Sequence, residues 1–146
     1  PTLETLENYK PARLRVEEFM QTDLFTVQKD DILEFVAQMM DWRKVRYMPV
    51  EDNKGQLVGL ITSRLLLRHF AKANNLVKEN EGTVKDVMIT NPVTVTPDAT
   101  LLEALYKMRE NRIGCLPVVQ GEELVGVITE MDFLRISVRL MERLDK

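Results

Sequence analysis

Apolar residues recur first at a helical spacing and then at a strand spacing. The helical set lies on one face of a predicted helix and consists of Ile32, Leu33, Val36, Ala37 and Met40. Asp30 or Asp31 is the expected N-cap of that helix. Two short apolar runs, 47–50 and 57–62, then flank the turn-forming cluster 51–55, which predicts a β-hairpin. Residues 64–73 follow as a second predicted helix.

The same order of residue types occurs a second time further along the chain. Residues 16–20 are echoed by 84–88 at a spacing of 68, and residues 57–62 by 124–129 after a one-residue contraction. In the second copy, Thr100 and Glu103 have the spacing of a capping box. The apolar face there is expected on Leu101, Leu105 and Met108, the shorter hairpin turn at Gln120–Gly121, and the last helix from near Glu130 to about Arg143.

The repeat predicts the domain organisation. A lead-in segment (1–15) precedes the first repeat (16–77), and a polar linker (78–83) separates it from the second repeat, 84–146, which ends in the C-terminal helix. Each repeat is predicted to be a β-α-β-β-α unit of the α+β class. Because neither half has many large apolar residues to spare, the two sheets are expected to pack against each other with pseudo-twofold symmetry and a cleft on the axis.

Composition narrows the function classes. Twenty Lys and Arg stand against 23 Asp and Glu among 146 residues, a net charge of −3, so no nucleic-acid partner is expected. Cys115 and His69 are the only residues of their types, which argues against a disulfide, a metal site and a Cys/His or Ser/His/Asp catalytic set. The chain is therefore not expected to be an enzyme.

No apolar run has the length of a membrane span and no signal peptide is evident, so we expect a cytoplasmic protein without a membrane partner.

The motifs of the second copy, taken in order, resemble those of the cystathionine-beta-synthase (CBS) domain, and two in tandem resemble a Bateman module. They are Met88-x-x-x-Pro-Val-Thr-Val-x-Pro-Asp98, Gly114-Cys-Leu-Pro-Val-Val119 and Gly126-Val-Ile-Thr-Glu-Met-Asp132. The resemblance covers about residues 16–141. It implies a regulatory module that needs no cofactor and binds an adenosyl compound, AMP, ADP, ATP or S-adenosylmethionine, in the cleft between the repeats. It also implies an effector, either covalently attached or separate.

Thr129 and Asp132 are the main candidate binding residues. Thr129 is expected at a helix N-terminus, beside unpaired backbone N–H groups that attract a phosphate. Asp132 lies one turn further on, where a carboxylate can accept hydrogen bonds from both hydroxyls of a ribose. The alternative is structural: Thr129 is an N-cap, and Asp132 is a first-turn acid favoured by the helix dipole.

The first copy departs from this pattern because Leu65 stands where the acid is expected. One competent cleft and one degraded cleft are therefore predicted. The resemblance further implies that Thr129 and Asp132 face a pocket contributed by the other repeat, with lining residues Met20, Phe25 and Val45. Two arginines are candidates for phosphate contacts, Arg46 and Arg64, and the alternative for both is a solvated surface arginine.

The helices carry apolar residues beyond the need of one sheet, and Bateman modules commonly pair, so a homodimer is expected. The residues expected to supply the contact are Trp42, Leu66, Phe70, Phe133 and Leu140. An alternative function is therefore a ligand-free dimerisation or interaction module within a larger protein.

Overall fold

The computed structural model describes residues 13–73 and 82–145, in which the predicted order of helices and strands is present twice. The first copy contains α1 (Leu33–Arg43), β1 (Tyr47–Glu51), β2 (Leu57–Thr62) and α2 (Ser63–Ala73). The second contains α3 (Val84–Val87), β3 (Ile89–Thr90), α4 (Leu101–Asn111), β4 (Cys115–Gln120), β5 (Glu123–Thr129) and α5 (Glu130–Leu144). A single 3-10 turn, Val16–Glu18, occupies in the first copy the place of α3 in the second. The α+β class is confirmed.

The chain divides into two compact units. Of the described residues, the β1–β3 unit comprises 24–73, 82–92 and 121–124, and the β4–β5 unit comprises 13–23, 93–120 and 125–145. The opening segments of the two repeats are therefore exchanged. Segment 13–23 belongs to the unit built on the second repeat's sheet, and segment 84–92 belongs to the unit built on the first. Residues 78–81 of the predicted linker lie outside the described residues.

The β1–β3 unit is built on an antiparallel sheet in the order β1-β2-β3, in which Leu60 pairs with Pro49 on one side and with Ile89 on the other. Val27 joins β1 through a parallel bridge to Val50. The core consists of Val27, Leu33, Val36, Met40, Met48, Val50, Ile61, Leu66 and Val84.

The β4–β5 unit repeats this plan with a two-stranded sheet. Val95 bridges to Val118 of β4 in parallel, and Gln21 bridges to Val127 of β5 antiparallel, the place that Ile89 has beside Leu60 in the other unit. Its core consists of Val16, Val95, Leu101, Ala104, Met108, Leu116, Val118, Ile128 and Phe133.

Two glycines allow the exchanged segments to lie close to the sheets. A Cβ placed on Gly126 would meet the sulfur of Met20 at 2.6 Å, and one on Gly59 would meet the sulfur of Met88 at 2.6 Å. Each methionine opens one repeat and covers a strand of the other. This close approach explains the requirement for glycine at the start of each Gly-x-Ile-Thr segment.

Several local predictions were wrong. Ile32, not Asp30 or Asp31, is the N-cap of α1, because the Asp31 carboxylate instead accepts from the Gln28 N–H at 2.8 Å and closes the preceding turn. Leu105 is 42% exposed, and Ala104 takes its expected place in the core. The short first strand of each predicted repeat is present only as a single bridge, at Val27 or Val95.

The turn of the second hairpin is also shifted by one residue from its prediction. Gln120 is still part of β4, so the turn consists of residues 121–122. The last helix ends at Leu144, one residue beyond the expected end. Among the helices of the described residues, none combines the length and apolar character that crossing a membrane requires.

Candidate functional site

The candidate site in the β4–β5 unit is centred on the carboxylate of Asp132 at the start of α5. Strand β5 runs directly into the helix at Thr129. One carboxylate oxygen, Oδ2, accepts from the Thr129 N–H at 2.8 Å and from the Thr129 hydroxyl at 3.2 Å. This is the capping geometry of the structural interpretation, and it fixes the orientation of the carboxylate.

The other carboxylate oxygen of Asp132 has two side-chain partners, and the sequence analysis missed the first of them, Gln21. Oδ1 accepts from the side-chain amide of Gln21 at 3.0 Å and from the Arg135 guanidinium at 3.2 Å. Asp132 is only 5% exposed, and a buried carboxylate needs such donors to offset its lost hydration. A carboxylate has about four acceptor positions, so the chain's own groups fill all of them. A diol can therefore bind here only by displacing donors.

Gln21 reaches Asp132 because its backbone is held against β5. Its N–H donates to the Val127 carbonyl at 2.8 Å, and its own carbonyl accepts from the Val127 N–H at 3.0 Å. A signal for this residue exists in the repeat itself. The equivalents of Gln21 and Asp132 in the other copy are Ile89 and Leu65, so both polar positions become aliphatic together.

The backbone at the start of α5 differs from the sequence prediction of unpaired N–H groups. The Thr129 N–H is taken by Asp132, and the Glu130 N–H donates to the Gly114 carbonyl at 2.9 Å. The carbonyl preceding β4 reaches the helix start because β4 and β5 are paired. These two amides are thus occupied by the chain.

Cys115 lies beside this site but lacks the properties of a nucleophile. It is 1% exposed, and burial, followed by the charges of Asp132 and Glu130, raises the pKa of its thiol to about 12. The thiolate is the reactive form, so the thiol is inert near neutral pH.

The corresponding helix start in the β1–β3 unit has the same backbone plan without the acid. The Thr62 hydroxyl accepts from the Leu65 N–H at 3.1 Å, and the Arg46 carbonyl accepts from the Ser63 N–H at 2.9 Å. Arg46 and Arg64 are exposed, and their backbones adjoin at the start of α2. This helix start therefore carries two exposed cationic side chains, and Leu65 stands at the position of the carboxylate.

The remaining predicted site residues divide between the units. Met20 lies with Thr129 and Asp132 in the β4–β5 unit, where it covers Gly126. Phe25 and Val45 belong, with the two arginines, to the β1–β3 unit and pack against its core. The Arg43 guanidinium lies 3.5 Å from the centroid of the Phe25 ring. In the described part of the chain, no group of three or more His, Cys, Asp or Glu side chains is arranged to hold a metal ion.

The chain is similar to known proteins in sequence and in fold. Residues 16–72 and 84–139 each match the family model of the CBS domain. The chain is 33% identical over 122 residues to inosine-5'-monophosphate dehydrogenase of Methanocaldococcus jannaschii, covering 83% of this chain but 23% of that protein. It thus corresponds to about a quarter of that dehydrogenase.

Two solved structures have the same fold over most of the chain. A Vibrio cholerae protein assigned to acetoin utilization (AcuB) superposes with a TM-score of 0.84 at 30% identity, covering 92% of this chain and 98% of that one. CBSX2 of Arabidopsis thaliana, solved in complex with AMP, superposes with a TM-score of 0.77 at 26% identity, covering 88% and 98%. With two family matches over most of its length, the chain belongs to the CBS domain family.

Proposed function

We propose that this chain is a regulatory module that binds an adenosyl nucleotide and signals to an attached or partner protein. The observation that carries the proposal is the buried Asp132 carboxylate, held at a helix start by Thr129. CBSX2 was solved with AMP, which supports the ligand class. The partial match to a dehydrogenase supports a module that other proteins carry next to an enzyme domain.

In this proposal the Asp132 carboxylate accepts hydrogen bonds from the two ribose hydroxyls. A carboxylate is an acceptor-only group, which suits a diol that offers two donors. The nucleotide lies in a cleft between the two repeats, 16–77 and 84–146. Met20, Phe25 and Val45 line the adenine pocket, and Arg46 and Arg64 bind the phosphate through their guanidinium groups.

Only one cleft is competent in this proposal. Leu65 replaces the acid in the first copy, and an aliphatic side chain cannot accept from a ribose hydroxyl. A hydroxyl left without a partner against it would cost about 1 to 3 kcal/mol. One nucleotide per chain is therefore expected.

Calorimetric titration with AMP tests this function on the wild type and two variants. Asp132→Ala removes the proposed ribose acceptor, a loss of about 1.5 to 3 kcal/mol, or roughly 10- to 150-fold in Kd. Asp86→Ala is the matched control, because Asp86 accepts from Thr83 N–H at 2.8 Å and Thr83 hydroxyl at 3.2 Å in the same geometry. It should leave the affinity unchanged.

Two results would overturn the assignment. The first is binding of two equivalent nucleotides per chain, and the second is an unchanged affinity in folded Asp132→Ala. The absence of heat with AMP, ADP, ATP and S-adenosylmethionine would instead favour the second candidate function.

That second candidate is a dimerisation or interaction module, which the exposed face of α5 favours. Four apolar side chains at heptad spacing are between 48% and 68% exposed: Met131, Leu134, Val138 and Met141. This differs from the predicted contact set, because Leu66 and Phe133 are buried in the cores of their own units. A homodimer through α5 is expected, and sedimentation of a monomer at tens of micromolar protein would contradict it.

A further inference from the structure

The Asp132 carboxylate receives four hydrogen bonds from the chain itself, and the four donors fall into two classes. The two on Oδ2 come from Thr129, whose backbone forms the start of α5. The two on Oδ1 come from the side chains of Gln21 and Arg135, which can rotate away. Oδ1 is therefore the oxygen that an incoming donor can reach by displacing side chains alone.

Gln21 is suited to such a movement because its backbone and side chain have different constraints. Two backbone hydrogen bonds to Val127, of 2.8 and 3.0 Å, fix its main chain on β5. The residue is exposed, so its side chain can turn into solvent without moving the strand. Since a carboxylate only accepts, the amide nitrogen must face Asp132 for the contact to form.

Arg135 is the other removable donor. It is bound to Asp132 from the next turn of the same helix, and its side chain is 66% exposed. Of the two, only Gln21 comes from outside α5, so its contact can be removed without changing the helix that carries the acid.

Comparison of the two units links Gln21 to the acid. In the β1–β3 unit the position of Gln21 is Ile89, on the strand beside Leu60, and the position of Asp132 is Leu65. The unit without a carboxylate thus has no amide at the equivalent position. The amide is present where there is a buried charge to satisfy.

We propose that Gln21 is a displaceable cap on the Asp132 carboxylate, which it stabilises when the site is empty and releases when a ribose diol binds. The inference rests on the proposed function and adds that Gln21 competes with the ligand. Only molecules with an open cap bind the ligand, so the observed affinity is the intrinsic affinity multiplied by the fraction of molecules in which the cap is open. A hydrogen bond to a charged group is strong enough for this reduction to be on the order of 10-fold.

The test is titration with AMP of the wild type and Gln21→Met, which keeps the length of the side chain and removes the donor. AMP should bind Gln21→Met about 10-fold more tightly. Gln28→Met, at an exposed glutamine of the other unit, is the control and should match the wild type. Gln21→Ile, which copies the residue of the other repeat, is the second variant and should also bind more tightly.

Thermal unfolding gives a second readout. Without AMP, Gln21→Met should melt below the wild type, and at saturating AMP the two should melt together, because the bound state no longer uses the cap. Equal or weaker AMP binding by both Gln21 variants would overturn the cap and leave the proposed function standing. If none of the proteins bound AMP, ADP, ATP or S-adenosylmethionine, both the cap and the proposed function would be overturned.

Discussion

The Gln21 amide nitrogen lies 3.0 Å from the Asp132 carboxylate, although the two residues are 111 positions apart in sequence. One opens the first repeat and the other lies in the last helix of the second. The contact therefore joins the two repeats within a single compact unit. It makes the hydrogen bonding of the candidate site depend on both copies.

Asp132 is expected to contribute more to stability than an exposed acid in the same local geometry. Asp132→Ala removes the acceptor of four hydrogen bonds in a buried place, which should lower the free energy of unfolding by about 2 kcal/mol. The fold should be retained. Asp86→Ala, with the same contacts to Thr83 but an exposed side chain, should cost clearly less. Equal losses in urea unfolding of the two variants would show that burial of Asp132 is unimportant.

The exchange of opening segments predicts the effect of adding a methyl group to two strand glycines. Gly126→Ala and Gly59→Ala should each destabilise the protein by about 1 to 3 kcal/mol. Gly59→Ala should cost slightly more, because its Cβ would lie 2.9 Å from the Ile89 carbonyl, whereas a Cβ at Gly126 would lie 3.1 Å from the Gln21 carbonyl.

A double variant identifies the methionine as the source of the clash. Met20→Ala should recover part of the loss caused by Gly126→Ala, so that the two losses are not additive. Strict additivity in denaturant unfolding would mean that Met20 does not cover this strand.

The stability of the protein at alkaline pH should depend on Cys115. Burial raises the pKa of its thiol from 9.0 to about 12, so between these values the unfolded chain loses a proton that the folded chain keeps. The free energy of unfolding should therefore fall as the pH rises above about 9. Cys115→Ala removes this contribution. The free energy of unfolding of this variant, measured with urea, should therefore fall less steeply with pH than that of the wild type. Identical slopes would contradict the raised pKa.

Local elements could be predicted from the sequence where the pattern has a single solution. Strand β2 matches its predicted limits, and the Thr100–Glu103 capping box is confirmed, since each depends on adjacent residues alone. The expected buried face of α4 was wrong at Leu105. Leu101, Leu102 and Leu105 span an arc of about 100° around the helix, and the core contacts only the Leu101 edge of that arc, together with Ala104 and Met108.

The site was only partly predictable, for a similar reason. The sequence placed Thr129 and Asp132 one turn apart at a helix start, and the hydrogen bonds between them follow from that spacing. Gln21 was missed because its contact depends on the pairing of segment 13–23 with β5, which no local pattern encodes. The parallel replacement of Gln21 by Ile89 and Asp132 by Leu65 was visible in the repeat and is the signal that could have found it.

The most direct test of the central claim, that Asp132 receives the ribose diol, is a four-titration cycle. AMP and 2'-deoxyadenosine monophosphate, which lacks one hydroxyl, are titrated into the wild type and into Asp132→Ala by calorimetry. The wild type should bind the deoxy ligand about 10-fold more weakly than AMP. In Asp132→Ala the two ligands should bind alike, because the acceptor is gone. A deoxy penalty of the same size in both proteins would show that the ribose hydroxyls are bound elsewhere.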